Sequence, residues 1–224
     1  MDSIKVKGKT LNVVPISLVY KPNYTAAEKN KAKKLTTKWK GQEQRSPFVT
    51  VDIVLLHKIG GEWHVLLGWW EKVFPIDGKP KRIAGVTVIP GGHFEKSGAR
   101  DPKITKEGGD LNLISAAKKE LYEETNISPT KLKDLTPLAV IDRVENDIRA
   151  HVLRTVFVAT TTGIPKPSEE IKKFYHVPLR DLKRDVKTGY LKYNKQKLPF
   201  VLGHDEMLQT VFQLPAFNDY VNSH

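Results

Sequence analysis

From Phe48 onward the apolar positions fall into short runs broken by turn residues. F-V-T-V-D-I-V-L-L-H-K (48–58) and W-H-V-L-L-G-W-W (63–70) read as strands joined through the hairpin-type turn Ile59-Gly60-Gly61-Glu62. After a loop containing Gly and Pro, Val86 to Ile89 gives a third strand that runs into Pro90-Gly91-Gly92. L-A-V-I-D-R (138–143) and H-V-L-R-T-V-F-V-A (151–159) are further strands, and His204 to Phe212 carries helical spacing near the C-terminus. Between them A-A-K-K-E-L-Y-E-E-T-N-I (116–127) is a helix predicted to begin near Leu111 or Asn112. Asn126 suits a left-handed C-terminal cap, and Pro129 blocks continuation. The alternation implies a mixed sheet with helices on both sides and an α/β class.

That helix carries the candidate chemistry. Glu120, Glu123 and Glu124 stand at i, i+3 and i+4, so they share one face and repel one another unless a cation sits among them. Hard oxygen ligands at this spacing suit Mg²⁺ or Mn²⁺, and the same residues also suit a solvated acidic helix face. Upstream, V-I-P-G-G-H-F-E (88–95) is a buried strand that ends in a tight turn followed by Glu95.

Taken together, P-G-G-H-F-E and K-E-L-Y-E-E-T-N-I resemble the Nudix box, G-x(5)-E-x(7)-R-E-U-x-E-E-x-G-U. That signature marks a superfamily hydrolysing nucleoside diphosphates linked to another group. Gly92 aligns with the first glycine, and Glu120, Glu123 and Glu124 align with the acidic core. The departures are specific. Gly92 to Lys119 spans 27 positions where the pattern has 14, and the added K-S-G-A-R-D-P-K-I-T-K-E-G-G is surface-loop material. Asp110 offers a helix cap or a metal contact, with the cap favoured. Lys119 replaces an arginine, keeping the charge but losing the bidentate fork, and Asn126 replaces a glycine.

Further segments resemble the branch that contains ADP-ribose pyrophosphatases and nicotinamide-related regulators: V-T-V-D-I-V-L-L (49–56), the stretch 142–159 and L-P-F-V-L-G-H-D-E-M-L (198–208). The resemblance covers roughly residues 47 to 212 and implies an α/β/α sandwich. It implies metal contacts from Glu120, Glu124 and the Gly91 carbonyl, with Glu95 for a second metal. It implies a catalytic set of Glu120, Glu123 and Lys119, and Gly92 among the substrate contacts. The general base is left among Glu145, Asp147, Glu169 and Glu170. Arg143 and Arg149 are candidates to clamp phosphate or ribose, with surface salt bridges as the alternative. Trp70 or its neighbour Trp69 is a candidate platform for adenine; adjacent strand residues face opposite ways, and core is the better reading for either one. His93 reads as a strand-end residue and His151 as a core histidine.

The expected activity is Mg²⁺-dependent hydrolysis of ADP-ribose to AMP and ribose 5-phosphate. NADH, dinucleoside polyphosphates and capped RNA stay open as substrates of this nucleotide-sugar or dinucleotide class. So does a silent domain that senses a ligand or binds nucleic acid.

Composition narrows the setting. The chain has no cysteine, which excludes disulfides, thiolate metal sites and a cysteine nucleophile. No apolar run approaches the roughly 20 residues that span a bilayer, and Met1-Asp2-Ser3-Ile4-Lys5 lacks a signal-peptide layout, so the expectation is a soluble cytoplasmic protein without a membrane partner. Charge is uneven. Residues 1–46 hold 11 Lys/Arg against 3 Asp/Glu, which is +8 of the chain's +12. They are expected to form an N-terminal arm preceding a Nudix domain at 47–224. In the arm, L-N-V-V-P-I-S-L-V is a strand broken at Pro15, and Thr25 to Lys40 is a basic helix. The arm suits homodimerisation. RNA binding is the less favoured role, because no aromatic interleaving accompanies the charge.

Overall fold

The computed structural model describes residues 2–6, 9–13, 16–20, 37–39, 42–44, 48–76, 79–88, 90–93, 112–143 and 152–224. Within residues 1–46, β1 (Asp2–Val6) and β2 (Lys9–Val13) form an antiparallel pair, and β3 (Ser17–Tyr20) joins the main sheet. The expected basic helix over 25–40 is corrected at its end. There Thr37–Trp39 is a strand, β4, paired with β5 (Gln42–Gln44), while residues 21–36 lie outside the described residues. The β-branched and aromatic side chains of Thr37 and Trp39 favour the extended state over helix.

Next come β6 (Phe48–Ile59), β7 (Glu62–Ile76), β8 (Lys79–Val88) and the short β9 (Gly91–His93). Helix α1 (Leu113–Thr125) precedes β10 (Leu132–Arg143), β11 (Val152–Thr161) and β12 (Ile171–Pro178). The chain continues through α2 (Leu179–Asp185), the hairpin β13 (Tyr190–Tyr193) and β14 (Gln196–Pro199), then α3 (His204–Val211) and α4 (Pro215–Ser223). The main sheet runs β12-β7-β6-β11-β10-β3, with β8 added to β7 and β9 to β6. It is mixed: β6 and β11 run parallel, as do β10 and β3, and the other pairs are antiparallel.

Local chemistry sets the joints. Gly60 and Gly61 take φ of 58° and 83°, the left-handed conformation that a two-residue hairpin turn demands at both positions. Strand β7 outruns that hairpin. Its first residues pair with β6, and Leu67 to Ile76 pair with β8, so the sheet opens beside β6. The short β9 fills this opening by pairing Gly91 to His93 against Thr50 to Asp52.

The two-residue period of β6 divides the core. Val51, Ile53 and Leu55 face one cluster, which α1 covers with Ala116, Ala117 and Leu121. Val54 and Leu56 face the other, covered by Leu179 and Leu182 of α2, Met207, Leu208 and Val211 of α3, and Phe217 of α4. Helices therefore lie on both faces of a mixed sheet, as the alternation of elements predicts. Each fully buried leucine contributes about 2 kcal/mol of hydrophobic stabilisation.

Candidate active site

Helix α1 is fixed at both ends by its own sequence. Asn112 is the N-cap, not Asp110: Ser115 donates its amide to Asn112 Oδ1 at 2.9 Å, and the Asn112 amide donates to Ser115 Oγ at 3.0 Å. Asp110 lies outside the described residues. Asn126 closes the helix in the left-handed region, with φ of 55°, and donates its amide to the Tyr122 carbonyl. Its side chain also donates to the carbonyls of Lys166 and Pro167 at 3.3 and 3.1 Å. A glycine at this position has no group to make those bonds.

The Pro90-Gly91-Gly92 turn meets this helix through its glycines. Neither has the positive φ that favours glycine; the constraint is close approach on two opposite faces. A Cβ on Gly91 would lie 2.5 Å from Asp52 Oδ1. One on Gly92 would fall among the carboxylate atoms of Glu120. The Gly91 amide donates to Glu124 Oε2 at 2.9 Å, and the Pro90 carbonyl accepts from Ile53 N at 2.8 Å. The turn is thus clamped between β6 and the two inward carboxylates of α1.

Electrostatics at this junction are strained. Glu124 is 6% exposed, and its carboxyl is pushed well above the ordinary glutamate range. Burial is the main cause and the Glu120 charge comes next; the Gly91 amide opposes them, while Glu170 and Asp52 add to the push. Lys119 is buried, with Nζ 3.7 Å from Glu120 Oε1, so its cation touches the carboxylate set without a bidentate fork. Glu123 is exposed on the same helix. A cleft of about 630 Å³ runs beside α1 and is lined by Glu120, Glu123, Glu124, Glu169, Glu170 and Lys172, with Tyr122 and Asn126 at its side. Lys72 lies 3.7 Å from Glu170.

The sequence-predicted residues are partly brought together here. Glu120, Glu123, Glu124, Lys119, Gly91 and Gly92 converge, and Glu169 and Glu170 face them across the cleft. Trp70 is corrected as a substrate contact: it is 6% exposed and packed with Ala116, Ala117 and Ile171, so its ring is core, the alternative favoured by the alternation of strand faces, and not an open base platform. Trp69 packs partly buried against the opposite cluster. The Arg143 backbone ends β10, and nothing is described of its side chain. Glu95, Arg149, Glu145, Asp147 and His151 lie outside the described residues. Among the described residues no three Asp, Glu or His side chains form a ready cage for a metal. Two carboxylates with a backbone turn are present, an all-oxygen set of the hard kind that Mg²⁺ or Mn²⁺ prefers. Their mutual repulsion is what a divalent ion relieves, so the residues fit the ion.

Sequence reasoning missed His204 and Asp52 as partners. Both are 4% exposed, and they lie 3.7 Å apart behind the Gly91 turn. The motifs T-V-D and G-H-D-E were visible, but nothing in their spacing joins residues so far apart in the chain.

The glycine turn, the glutamate helix it is clamped onto and the mixed sheet beneath them belong to one α/β domain. The NUDIX domain model matches residues 47–196, and the chain belongs to the NUDIX family. No curated protein matches the chain. Among solved structures, the bifunctional NMN adenylyltransferase/ADP ribose pyrophosphatase of Francisella tularensis aligns with TM-score 0.50 and 18% identity, covering 84% of this chain and 46% of that one. The same protein complexed with AMP and Mn ion aligns with TM-score 0.50 and 18% identity, over 84% and 47%. The NUDIX domain of Shewanella oneidensis NrtR, complexed with ADP ribose, aligns with TM-score 0.49 and 16% identity, over 76% and 89%. This chain spans less than half the length of the bifunctional protein, and at such identities the likeness is one of fold. Among the described residues no helix is long and apolar enough to cross a membrane.

Proposed function

We propose that this protein hydrolyses the pyrophosphate bond of a nucleoside diphosphate derivative, with ADP-ribose as the leading substrate and AMP and ribose 5-phosphate as products. The observation that carries the reading is the clamp of Gly91 and Gly92 onto Glu124 and Glu120, beside an acidic cleft large enough for a nucleotide group. Glu120, Glu124 and the Gly91 carbonyl would hold Mg²⁺ or Mn²⁺, and Glu95 a second ion. When bound, the ion neutralises pyrophosphate oxygens and lowers the pKa of water.

The chain's own residues supply the rest. Lys119 steadies Glu120 from within the core, and the Gly91 amide steadies Glu124. Glu123 projects from the exposed side of α1 and orients the attacking water. The water oxygen forms a bond to one phosphorus, the bridging P–O bond breaks, and the released proton passes to a carboxylate of the facing wall. Glu170 is our choice for that base, because it lines the cleft and its charge reaches Glu124. Lys172 adds a cation to the same wall, and Arg143 and Arg149 remain candidates for the phosphate or ribose. The Francisella tularensis protein carries ADP ribose pyrophosphatase in its name, which puts ADP-ribose first in any panel.

A second reading, a domain that binds such a ligand without turnover, draws support from Lys119: its single point charge 3.7 Å from Glu120 competes with a metal without the arginine fork. One assay separates the two. The purified protein with Mg²⁺ is offered ADP-ribose, NADH, diadenosine polyphosphates, nucleoside triphosphates and capped RNA, beside Glu124→Gln. We expect ADP-ribose turnover in the wild type and a loss of about 100-fold or more in the variant. Equal rates in both proteins, or no turnover of any substrate, would sink the hydrolase reading.

A further inference from the structure

Behind the Gly91 turn, on the face of β6 opposite α1, a buried polar relay connects the start of α3 to the site. His204 is the first residue of that helix. Its Nδ1 accepts the Val88 amide at 2.7 Å and lies 2.6 Å from Thr87 Oγ1. A nitrogen that accepts a backbone N–H carries no proton, so in the neutral ring the proton sits on Nε2. Nε2 faces Asp52 Oδ1 at 3.7 Å. Asp52 is the register partner of Gly91, and its Oδ1 fills the place where a Gly91 side chain would begin. Gly91 in turn gives its amide to Glu124.

The approach to His204 is itself fixed. The buried Arg154 donates Nη2 to the Leu202 carbonyl, the Val201 amide donates to the Val86 carbonyl at 3.1 Å, and Leu202 and Gly203 both take left-handed φ. The histidine is therefore held from β8, β11 and its own loop, and the turn's height above β6 is set from below. Strand pairing of three residues in β9 is a short anchor for a backbone that must meet two carboxylates. Support from the opposite face makes up for it.

We propose that His204 and Asp52 are positioning residues that fix the Gly91 amide against Glu124 and thereby set the affinity of the Glu120–Glu124 pair for a divalent cation. The inference rests on the metal reading given above. Neither residue lines the cleft, so neither acts on substrate; His204 acts through the turn, and Asp52 acts through the turn and through its charge on Glu124.

The test uses the full chain and two readouts that need no substrate: hydrogen exchange of the Gly91 amide in metal-free protein, and Mn²⁺ binding followed by electron paramagnetic resonance. The variants are His204→Asn, which keeps an acceptor for the Val88 amide but withdraws from Asp52, His204→Gln, which reaches toward Asp52 instead, and Asp52→Asn. We expect His204→Asn to speed Gly91 exchange and to weaken Mn²⁺ binding by about tenfold each, while amides in the middle of β11 keep their protection. His204→Gln should recover part of the Mn²⁺ affinity. Adding Asp52→Asn to His204→Asn should cost less than about twofold more, because the pair acts as one unit. Gly91 exchange and Mn²⁺ affinity within about twofold of wild type in His204→Asn, or multiplicative effects of the two substitutions, would overturn the proposal. If His204→Asn does not fold, Asp52→Asn and His204→Gln decide by the same readouts. A wild type that hydrolyses nothing yet gives the expected exchange and Mn²⁺ results would remove the proposed activity and leave this inference standing.

Discussion

Gly92 shows how a single missing side chain can organise a site. The Glu120 carboxylate occupies the volume where a Cβ would project, so any larger residue must displace either the turn or the glutamate. Gly92→Ala is expected to cost little stability, because the group that must move is the far end of a flexible side chain, and to lower Mn²⁺ affinity together with turnover by displacing that carboxylate. Chemical denaturation alongside a Mn²⁺ titration checks both, and an unchanged Mn²⁺ affinity would show that Glu120 does not depend on this contact. The glycine pair and the glutamate triplet were legible in the sequence, as were the lysine beside them, though not its burial, and the left-handed asparagine. The reason both glycines are needed was not. It is close approach on two faces, and that appears only once β9 is paired with β6.

At the scale of elements, α1 and the segment after β11 form the two walls of the cleft, and Asn126 joins them. Its carboxamide donates to Lys166 and Pro167, and the Lys166 amide returns a bond to the Thr125 carbonyl at 2.9 Å. This stitching presents Glu169 and Glu170 to the helix. Asn126→Gly keeps the left-handed cap and deletes the side-chain bonds, so it should lose about 1 kcal/mol of stability while raising KM for ADP-ribose more than it lowers kcat. Steady-state kinetics beside thermal melting decide it; an unchanged KM would mean the wall stays in place without the carboxamide. The element pattern was readable where apolar runs were long: β6, β11, α1 and α3 stand close to their predicted positions, whereas β7 runs on to Ile76 and β8 starts at Lys79, so strands replace the expected loop. The strand Thr37–Trp39 replaced the end of a predicted helix because the high density of lysine there, read as a helix face, carries no apolar period of its own. Strand β12 and helices α2 and α4 were passed over, since short elements with mixed burial give weak periodicity.

Across the whole molecule, the sheet holds a second titratable group far from the proposed chemistry. On β6, β7 and β12, His57, His64 and His176 share the face of Leu55 and Leu66, and the rings of His57 and His176 lie 4.9 Å apart. His57 is 8% exposed, and its Nε2 is buried without a hydrogen-bond partner. Burial, then the neighbouring His176 and His64, lowers its pKa from 6.5 to about 4. A base with a folded pKa below its unfolded value is stabilising above the unfolded value, and that stability is lost as pH falls from 6.5 toward 4. Relative to pH 7.5, the wild type at pH 5 should lose on the order of 1–2 kcal/mol more than His57→Leu. Parallel pH dependence of the two proteins in urea denaturation would show that His57 is not the group responsible.

The sequence by itself determined the local chemistry: which residues can form a helix, where its left-handed cap falls, that three carboxylates share a face, and that a glycine turn follows an apolar strand. Those properties depend on spacings of a few residues, and the backbone geometry that converts spacing into direction is the same in every protein. Only the tertiary structure decided which distant residues meet. It brought Glu170 opposite Glu124 across the cleft and put His204 behind Asp52 at a separation of more than 150 residues. Strand order and register create such meetings, and neither is encoded in any one segment. They emerge when two faces of one sheet must be buried at once.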